Sequence, residues 1–499
     1  GLLTADRAFV EVSDRLRVDY LNCPSTNQRL KDNLWHVGYL LSTRFIDAYT
    51  SLLSHLPEWA SKRQQQPQCA SCFCRLFAHR EMAYRFRLFR HEEWVANTWL
   101  DIHKHFRLAC DLQLEGINTE LKSSKIAGNI ETTIVGEYLR LLLLKLCFNG
   151  SLTDVQIEML TAQLHDGSNM LHLTIRPTVE SGFYVDLSQA QGLKFRNKST
   201  LDGHFLYLDT SPLCDRFKAL LASAEERIKN TTDETALKEL NHRIAIFKSA
   251  SARVDPEFKP MLRQSPRSED RSRIYVGLGL NTILSTITQA QSKKQNPNPD
   301  TDVYHPVTQI PLYGFQQNHA RTLNAANSAA LQIWDLRDRS DIGYRCLLNG
   351  NDELTGQLKL GNLICVNDES MSEWQICIIT RIMKMAAGRI ECGLKVISRE
   401  MFSGEIRRFR VGASNEAGVL INGENQSRLT SASDALFLKT AFLNTPILQP
   451  TVIMKTADFN PRSRYQMTNH RHTQIIELSE VIQEEDTWVW CSYLIKQII

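Results

Sequence analysis

The segment Asp338-Arg339-Ser340-Asp341-Ile342-Gly343 contains the polar side chains best suited to holding a ligand. It follows a stretch whose alternation of apolar and polar residues predicts a β-strand, which places Asp338 and Ser340 at a strand end. A carboxylate accepts hydrogen bonds, and a hydroxyl both donates and accepts them. Such a pair can hold the edge of a purine or orient a facing arginine, while Gly343 permits a close approach of the backbone. The same two side chains could instead bond to their own turn, which would be a structural role.

A second candidate site is formed by Cys69, Cys72 and Cys74, with His79 five residues further along the chain. Four ligands of these types could make a tetrahedral zinc site. The C-x-x-C-x-C spacing, however, differs from the common structural zinc patterns. The simpler interpretation is a loop between helices that carries ordinary thiols, and we expect no bound metal.

Two further patterns suggest binding less specifically. The segment 79–107 combines arginine with aromatic residues and could contact nucleic acid, but its arginines do not share one helical face and glutamates dilute their charge. A helix packed through its aromatic side chains is the preferred interpretation, without a nucleic-acid partner. The string Gly277-Leu278-Gly279 lacks the remaining features of a dinucleotide site. No Gly-x-Ser-x-Gly, His-Glu-x-x-His or phosphate-loop motif occurs, so we expect no enzyme.

The bulk composition is that of a soluble, multidomain protein. The chain has 499 residues, of which 42% are hydrophobic and 23% charged, with a net charge of +3. Its twelve cysteines are scattered, which favours a reducing, cytoplasmic setting over a disulfide scaffold. No apolar stretch approaches the ~20 residues that a membrane span requires, and the first residues do not resemble a signal peptide.

The elements that must position these residues change in character along the chain. Helical spacing dominates residues 1–165, including one helix over 28–55 and a second, continuous one over 79–110. Residues 166–250 predict a small α+β unit, and 251–325 an arginine-rich connector with a strand, a helix and a flexible linker. Short alternating strands then predict one β-barrel over 326–400 and a second over 401–499, with 418–423 among its strands. The fold class is therefore multidomain α+β.

Four features occur in order within residues 331–398. The Asp-x-Ser-x-x-Gly segment comes first, then the turn Leu360-Gly361-Asn362-Leu363, then a strand that begins near Trp374, and finally a closing strand that contains Gly393. This ordered set resembles the PilZ domain. The resemblance covers about 70 of the 499 residues, and it rests on the order of the four features rather than on the first motif alone.

The resemblance implies a six-stranded barrel that binds cyclic di-GMP through Asp338, Ser340 and Gly343. It also implies an Arg-x-x-x-Arg motif ahead of the first strand, since arginine donates to phosphate and to the guanine edge in a bidentate manner. Arg321 is alone at the usual distance before Asp338. The spacing itself occurs further upstream, in pairs formed by Arg263, Arg267 and Arg271. These arginines could fold over the turn if residues 273–280 form the first barrel strand.

The sequence thus predicts a cytoplasmic bacterial signalling protein that binds cyclic di-GMP and relays it to an unidentified protein partner, without a further cofactor. One alternative is a scaffold or adaptor whose barrel no longer binds the ligand. Another is a regulator that binds metal or nucleic acid through its cysteines or its arginine-rich helix. The second barrel lacks the Asp-x-Ser-x-x-Gly motif, so a structural or partner-binding role is expected for it.

Overall fold

The computed structural model describes most of the chain and divides it into two compact units. The described residues are 2–24, 27–55, 63–94, 96–123, 128–196, 205–257, 268–269, 272–295, 331–350, 358–368, 373–385, 388–409, 429–442, 446–461, 463–468 and 472–499. The first unit comprises Gly1–Gln264 with Arg381–Ile390, and the second comprises Ser265–Thr380 with Glu391–Ile499.

The first unit is mainly helical. Its helices are α1 (Leu2–Asn22), α2 (Gln28–Ser54), α3 (Gln66–Phe89), α4 (Ala96–Asp111), α5 (Ile134–Cys147), α6 (Asp154–Ser168), α7 (Ser211–Lys229) and α8 (Glu234–Val254). A short 3₁₀ helix, Arg63–Gln65, precedes α3. Helix α6 starts with a capping box, in which the Thr153 side chain accepts from the Gln156 amide and the Gln156 side chain accepts from the Thr153 amide.

The prediction of one continuous helix over 79–110 was wrong, because α3 ends at Phe89 and α4 begins at Ala96. Arg90 caps α3, with its amide donating to the Arg87 and Leu88 carbonyls. The next residue, His91, has φ of 56°, a left-handed conformation that stops the helix. Helical spacing alone did not reveal this break, since arginine and histidine both occur readily within helices.

Small antiparallel sheets complete the first unit. Strands β1 (Thr119–Ser123) and β2 (Gly128–Thr132) form a two-stranded ribbon. Strands β3 (Leu173–Thr174), β4 (Phe183–Asp186), β5 (Lys194–Phe195) and β6 (Phe205–Leu208) form a sheet in the order β3-β6-β4-β5. The main hydrophobic core of the first unit is formed by apolar side chains from α3, α5 and α6, together with Phe183 and Val185 of β4.

The second unit begins with a closed, six-stranded antiparallel barrel. Its strands are β8 (Arg273–Leu278), β9 (Gln332–Ser340), β10 (Gly343–Asn349), β11 (Leu363–Asp368), β12 (Gln375–Lys384) and β13 (Arg389–Ser398). They pair in the order β10-β13-β12-β11-β8-β9, and β9 closes the barrel by pairing with β10. A two-residue strand, β7 (Ser268–Glu269), lies against β9 beyond the end of β8.

A second closed, six-stranded barrel follows. Its strands are β14 (Glu400–Arg408), β15 (Ser433–Phe442), β17 (Thr451–Lys455), β18 (Arg464–Thr468), β19 (Thr473–Glu484) and β20 (Trp488–Ile498). They pair in the order β14-β18-β19-β20-β17-β15, with β15 returning to β14. The short strand β16 (Pro446–Ile447) pairs with β15, and a 3₁₀ turn, Thr456–Asp458, follows β17. The strand predicted over 418–423 lies outside the described residues.

The two barrels share a hydrophobic core around helix α9 (Leu280–Gln295). Ile283 and Ile287 of this helix are buried with Leu363 of the first barrel and with Leu436 and Trp490 of the second. The helix lies between β8 and β9 in sequence, so the first barrel is built around an insertion. The predicted multidomain α+β class is confirmed. Among the described helices, none is both long enough and apolar enough to cross a bilayer.

Candidate functional site

The Asp-x-Ser-x-x-Gly segment forms the hairpin between β9 and β10. Ser340 pairs with Gly343 across a two-residue turn made by Asp341 and Ile342. The Ser340 hydroxyl donates to the Gly343 carbonyl oxygen over 3.3 Å. This serine therefore stabilises its own turn, which is the structural role that the sequence left open.

Asp338 lies on the buried face of β9, because side chains two residues apart point to the same side of a strand. Trp334 and Leu336 share this face, and Asp338 itself is 9% exposed. Its carboxylate lies 3.7 Å from the Arg345 guanidinium, which also donates to Glu391 over 2.5 Å. The hydrogen bond to Glu391, reinforced by Asp338, raises the pKa of Arg345. Asp338 therefore orients a facing arginine, one of the two chemical roles predicted for it.

Two glycines of the predicted motifs are required by the backbone. Gly343 approaches β13 so closely that an added Cβ would overlap the Leu394 carbonyl oxygen. Gly361, in the turn before β11, has φ of 82°, and a Cβ there would overlap the Glu485 carboxylate. Both glycines thus have structural reasons to be present in this fold.

Further guanidinium groups surround the hairpin. The Arg339 side chain donates to Asp368 over 2.7 Å, and Arg399 donates to the Asp341 carbonyl oxygen over 2.5 Å. The Arg345 and Arg339 side chains are 42% and 34% exposed, so both reach solvent. Together with Arg345, these form a set that we call the hairpin arginines: Arg339, Arg345 and Arg399. None of the three was identified from the sequence as a site residue. Arg339 nevertheless lies within the motif itself, and Arg345 lies two residues after Gly343.

The arginines predicted to bind ligand, Arg263, Arg267 and Arg271, lie outside the described residues, as does Arg321. Their described neighbours in sequence pair with β9. Ser268 pairs with Arg339, and Glu269 pairs with Asp338. The Ser272 carbonyl oxygen accepts from the Leu336 amide over 2.9 Å. Residues 268, 269 and 272, which are the described sequence neighbours of Arg267 and Arg271, therefore lie along β9 beside the motif.

The cysteine cluster is organised differently from the prediction. All three thiols are buried within helix α3 and not in a loop between helices. Cys74 accepts a hydrogen bond from the Thr119 hydroxyl, whereas His79 bonds to Asp6 over 2.7 Å. Burial raises the pKa of the Cys72 thiol to about 11. Within the described part of the chain, no three histidine, cysteine or acidic side chains are arranged to hold a metal ion.

The site thus belongs to a closed antiparallel barrel with a polar hairpin, an inward-facing aspartate and several guanidinium groups, an arrangement suited to binding an anion. Comparison with known proteins concerns the other end of the chain. Residues 2–178 match the family model described as "Cyclic-di-GMP receptor FimW, N-terminal domain". The match covers helices α1 to α6 and ends before α7, α8 and both barrels. Neither curated proteins nor solved structures gave a significant match.

Proposed function

We propose that this chain is a cytoplasmic signalling receptor of the PilZ kind, and not an enzyme. In this proposal cyclic di-GMP binds at the β9–β10 hairpin of the first barrel, and binding is relayed to a protein partner. Arg267 and Arg271 would contact the phosphates. Arg345, held by Asp338, would contribute a third guanidinium group.

The register of β7 is the observation that carries the proposal. Ser268 and Glu269 follow Arg267 directly in the chain and pair with Arg339 and Asp338. Consecutive Cα atoms are about 3.8 Å apart, so an arginine bonded to Ser268 has a side chain long enough to reach the hairpin. The arginine pairs precede the first barrel strand despite their long separation from Asp338 in sequence, because α9 and the segment after it are inserted between β8 and β9.

The chemistry of the hairpin is consistent with this ligand. Cyclic di-GMP carries two phosphates and two guanines, and guanidinium groups donate in a bidentate manner to both. The hairpin arginines are held in place by Asp368, by Glu391 and by the backbone of the turn. Arginines that are already ordered lose less side-chain entropy when a ligand binds.

The family comparison supports the same ligand through a different part of the chain, the helical region. FimW is named as a receptor for cyclic di-GMP, and the first 178 residues resemble its N-terminal domain. The proposal combines this resemblance with the barrel chemistry and assigns the ligand to the barrel.

Calorimetric titration with cyclic di-GMP tests the proposal. The unmodified chain is expected to bind, and the double variant Arg267→Ala/Arg271→Ala to bind at least about tenfold more weakly. Arg243→Ala is the matched control, since Arg243 on α8 has a side chain that is 40% exposed and pairs with Glu239 in the preceding turn. Absence of heat from the unmodified chain, or equal affinity of the double variant, would contradict the proposal.

The scaffold alternative is favoured by one observation: the polar groups of the hairpin are already paired with one another. Ser340 bonds to its own turn, Asp338 lies beside Arg345, and Arg339 pairs with Asp368. A barrel satisfied in this way needs no ligand for its stability. A protein partner that co-purifies equally well with and without cyclic di-GMP, from a chain that gives no calorimetric signal, would establish this alternative.

A further inference from the structure

Helices α2, α3 and α4 of the first unit line a cavity of about 710 Å³ that is open to solvent on one side. This volume lies within the range of ~300–1,000 Å³ typical of small-molecule sites. Side chains from the facing surfaces of the three helices line it, and all of them lie within the first unit. The cavity is separate from the barrel hairpin, so its interpretation does not depend on the function proposed above.

Arg80 lines this cavity and has an unusual environment. It is 4% exposed, and its Nε is fully buried without a hydrogen-bond partner. Among the residues that the structure describes, none forms an ion pair with it. Burial of a charged group without a partner is costly, and proteins ordinarily avoid it. A side chain of this kind raises the question of what, other than the chain itself, accepts its hydrogen bonds.

Two other buried arginines of helix α3 form ion pairs with carboxylates, unlike Arg80. Arg75 pairs with Asp6 over 2.6 Å, and Arg85 pairs with Glu81 over 2.5 Å and with Glu158 over 3.1 Å. Two buried arginines of helix α3 are therefore in direct contact with carboxylates. Arg80 differs from them in facing the cavity.

Arg80 keeps its charge at neutral pH. Burial lowers the pKa of Arg80 to about 10, although the fields of Asp101 and Asp47 act in the opposite direction. Both aspartates line the cavity but form no ion pair with Arg80. Their negative charges stabilise the charged form of Arg80 without direct contact. The N–H donors of the guanidinium are therefore available to a ligand.

The remaining walls combine a second cation with aromatic rings. Arg87 also lines the cavity. Its Nη2 donates to the Glu93 carbonyl oxygen over 2.9 Å and lies 3.5 Å from the Glu92 carboxylate, while its buried Nε has no partner among the described residues. Tyr39 and Trp94 also line it, and each is braced by another ring at centroid distances of 5.1 Å and 4.2 Å. Braced rings are rigid surfaces on which a planar group can pack.

We propose that this cavity is a second binding site, which takes a small molecule bearing a phosphate or carboxylate group and a planar ring. The oxyanion contacts Arg80 and is assisted by Arg87, while the ring packs against Tyr39 and Trp94. The competing explanation is that Asp47 and Asp101 suffice for Arg80, so that the cavity holds only solvent.

Thermal unfolding and calorimetry of the full chain with Arg80→Met separate these explanations. Methionine removes the charge and keeps an apolar side chain of comparable length. If Arg80 awaits a ligand, the ligand-free variant melts at the same temperature as the unmodified chain or higher, because an uncompensated buried charge has been removed. A lower melting temperature would assign Arg80 a structural role and overturn the proposal.

The probes are guanosine monophosphate, inorganic phosphate and benzoate, which distinguish a phosphate source from a carboxylate source. At least one is expected to bind the unmodified chain, and Arg80→Met to weaken that binding at least about tenfold. Arg243→Met, which removes an exposed arginine elsewhere in the unit, is the charge-matched control and should bind normally. Failure of all three probes at about 10 mM, or equal binding by Arg80→Met, would refute the site.

Discussion

Asp6 is a fully buried charge in the helical unit that accepts hydrogen bonds from two other helices, and its removal tests the importance of those bonds. The side chain is 0% exposed and lies in α1. It accepts from Tyr49 over 2.6 Å, from Arg75 over 2.6 Å and from His79 over 2.7 Å. This single carboxylate therefore connects α1 to α2 and α3, and Asp6→Ala would leave two buried basic groups without it.

The expected cost follows from the environment. Burial raises the pKa of Asp6, but the hydrogen bond from His79, with further contributions from Tyr49 and Arg75, outweighs it and lowers the pKa to about 2. Relative to an ordinary value of 3.8, this shift corresponds to about 2.5 kcal/mol. Because the pKa is depressed on folding, the contribution is fully present above pH 3.8 and is lost as the pH falls towards 2.

Urea unfolding followed by far-ultraviolet circular dichroism, repeated between pH 5 and about pH 2, measures both effects. Asp6→Ala should lower the free energy of unfolding by about 3–5 kcal/mol at neutral pH. Its stability should also depend less on pH below 4. Asp166→Ala is the control, because the Asp166 side chain is 58% exposed and its ion pair with Arg216 lies at the surface. This variant should change the free energy of unfolding by less than about 1 kcal/mol. A loss of under about 1 kcal/mol in Asp6→Ala, or an unaltered acid limb, would refute this reasoning.

Two further changes test the barrel and a helix start. Gly343→Ala should destabilise the second unit by about 1–3 kcal/mol in thermal unfolding, since the added Cβ would overlap the Leu394 carbonyl oxygen. Gly116 has open space where a Cβ would lie, so Gly116→Ala should change stability by less than about 0.5 kcal/mol in the same measurement. Equal stability of the two variants would contradict the close strand approach. Thr153→Ala, which removes the α6 capping box, should cost about 1 kcal/mol in chemical denaturation, and an unchanged midpoint would argue against that cap.

Periodicity predicted β9 well because only one face of this strand is buried, whereas β11 is buried at nearly every residue. The alternation that exposes Ile333 and buries Trp334 and Leu336 also buries Asp338, which a strand-end location alone did not suggest. The strand predicted near Arg273 pairs with β9 and β11. Strand pairing across an inserted helix depends on packing between segments distant in sequence, which local patterns do not specify.

The candidate site was predictable only in part. The motif identified Asp338 and its turn, but partners such as Glu391 and Arg399 come from β13 and from the residue after it. Those contacts require the closed barrel, so no spacing along the chain could reveal them. The unpaired state of Arg80 was equally inaccessible, because arginine in an aromatic helix normally finds a carboxylate nearby.

Amide hydrogen exchange with and without cyclic di-GMP tests the central claim most directly, because it locates the ligand as well as detecting it. Protection is expected over residues 268–275 and over the β9–β10 hairpin, 336–346. Protection confined to the helical residues 2–178, or no change anywhere at saturating nucleotide, would contradict binding at the barrel.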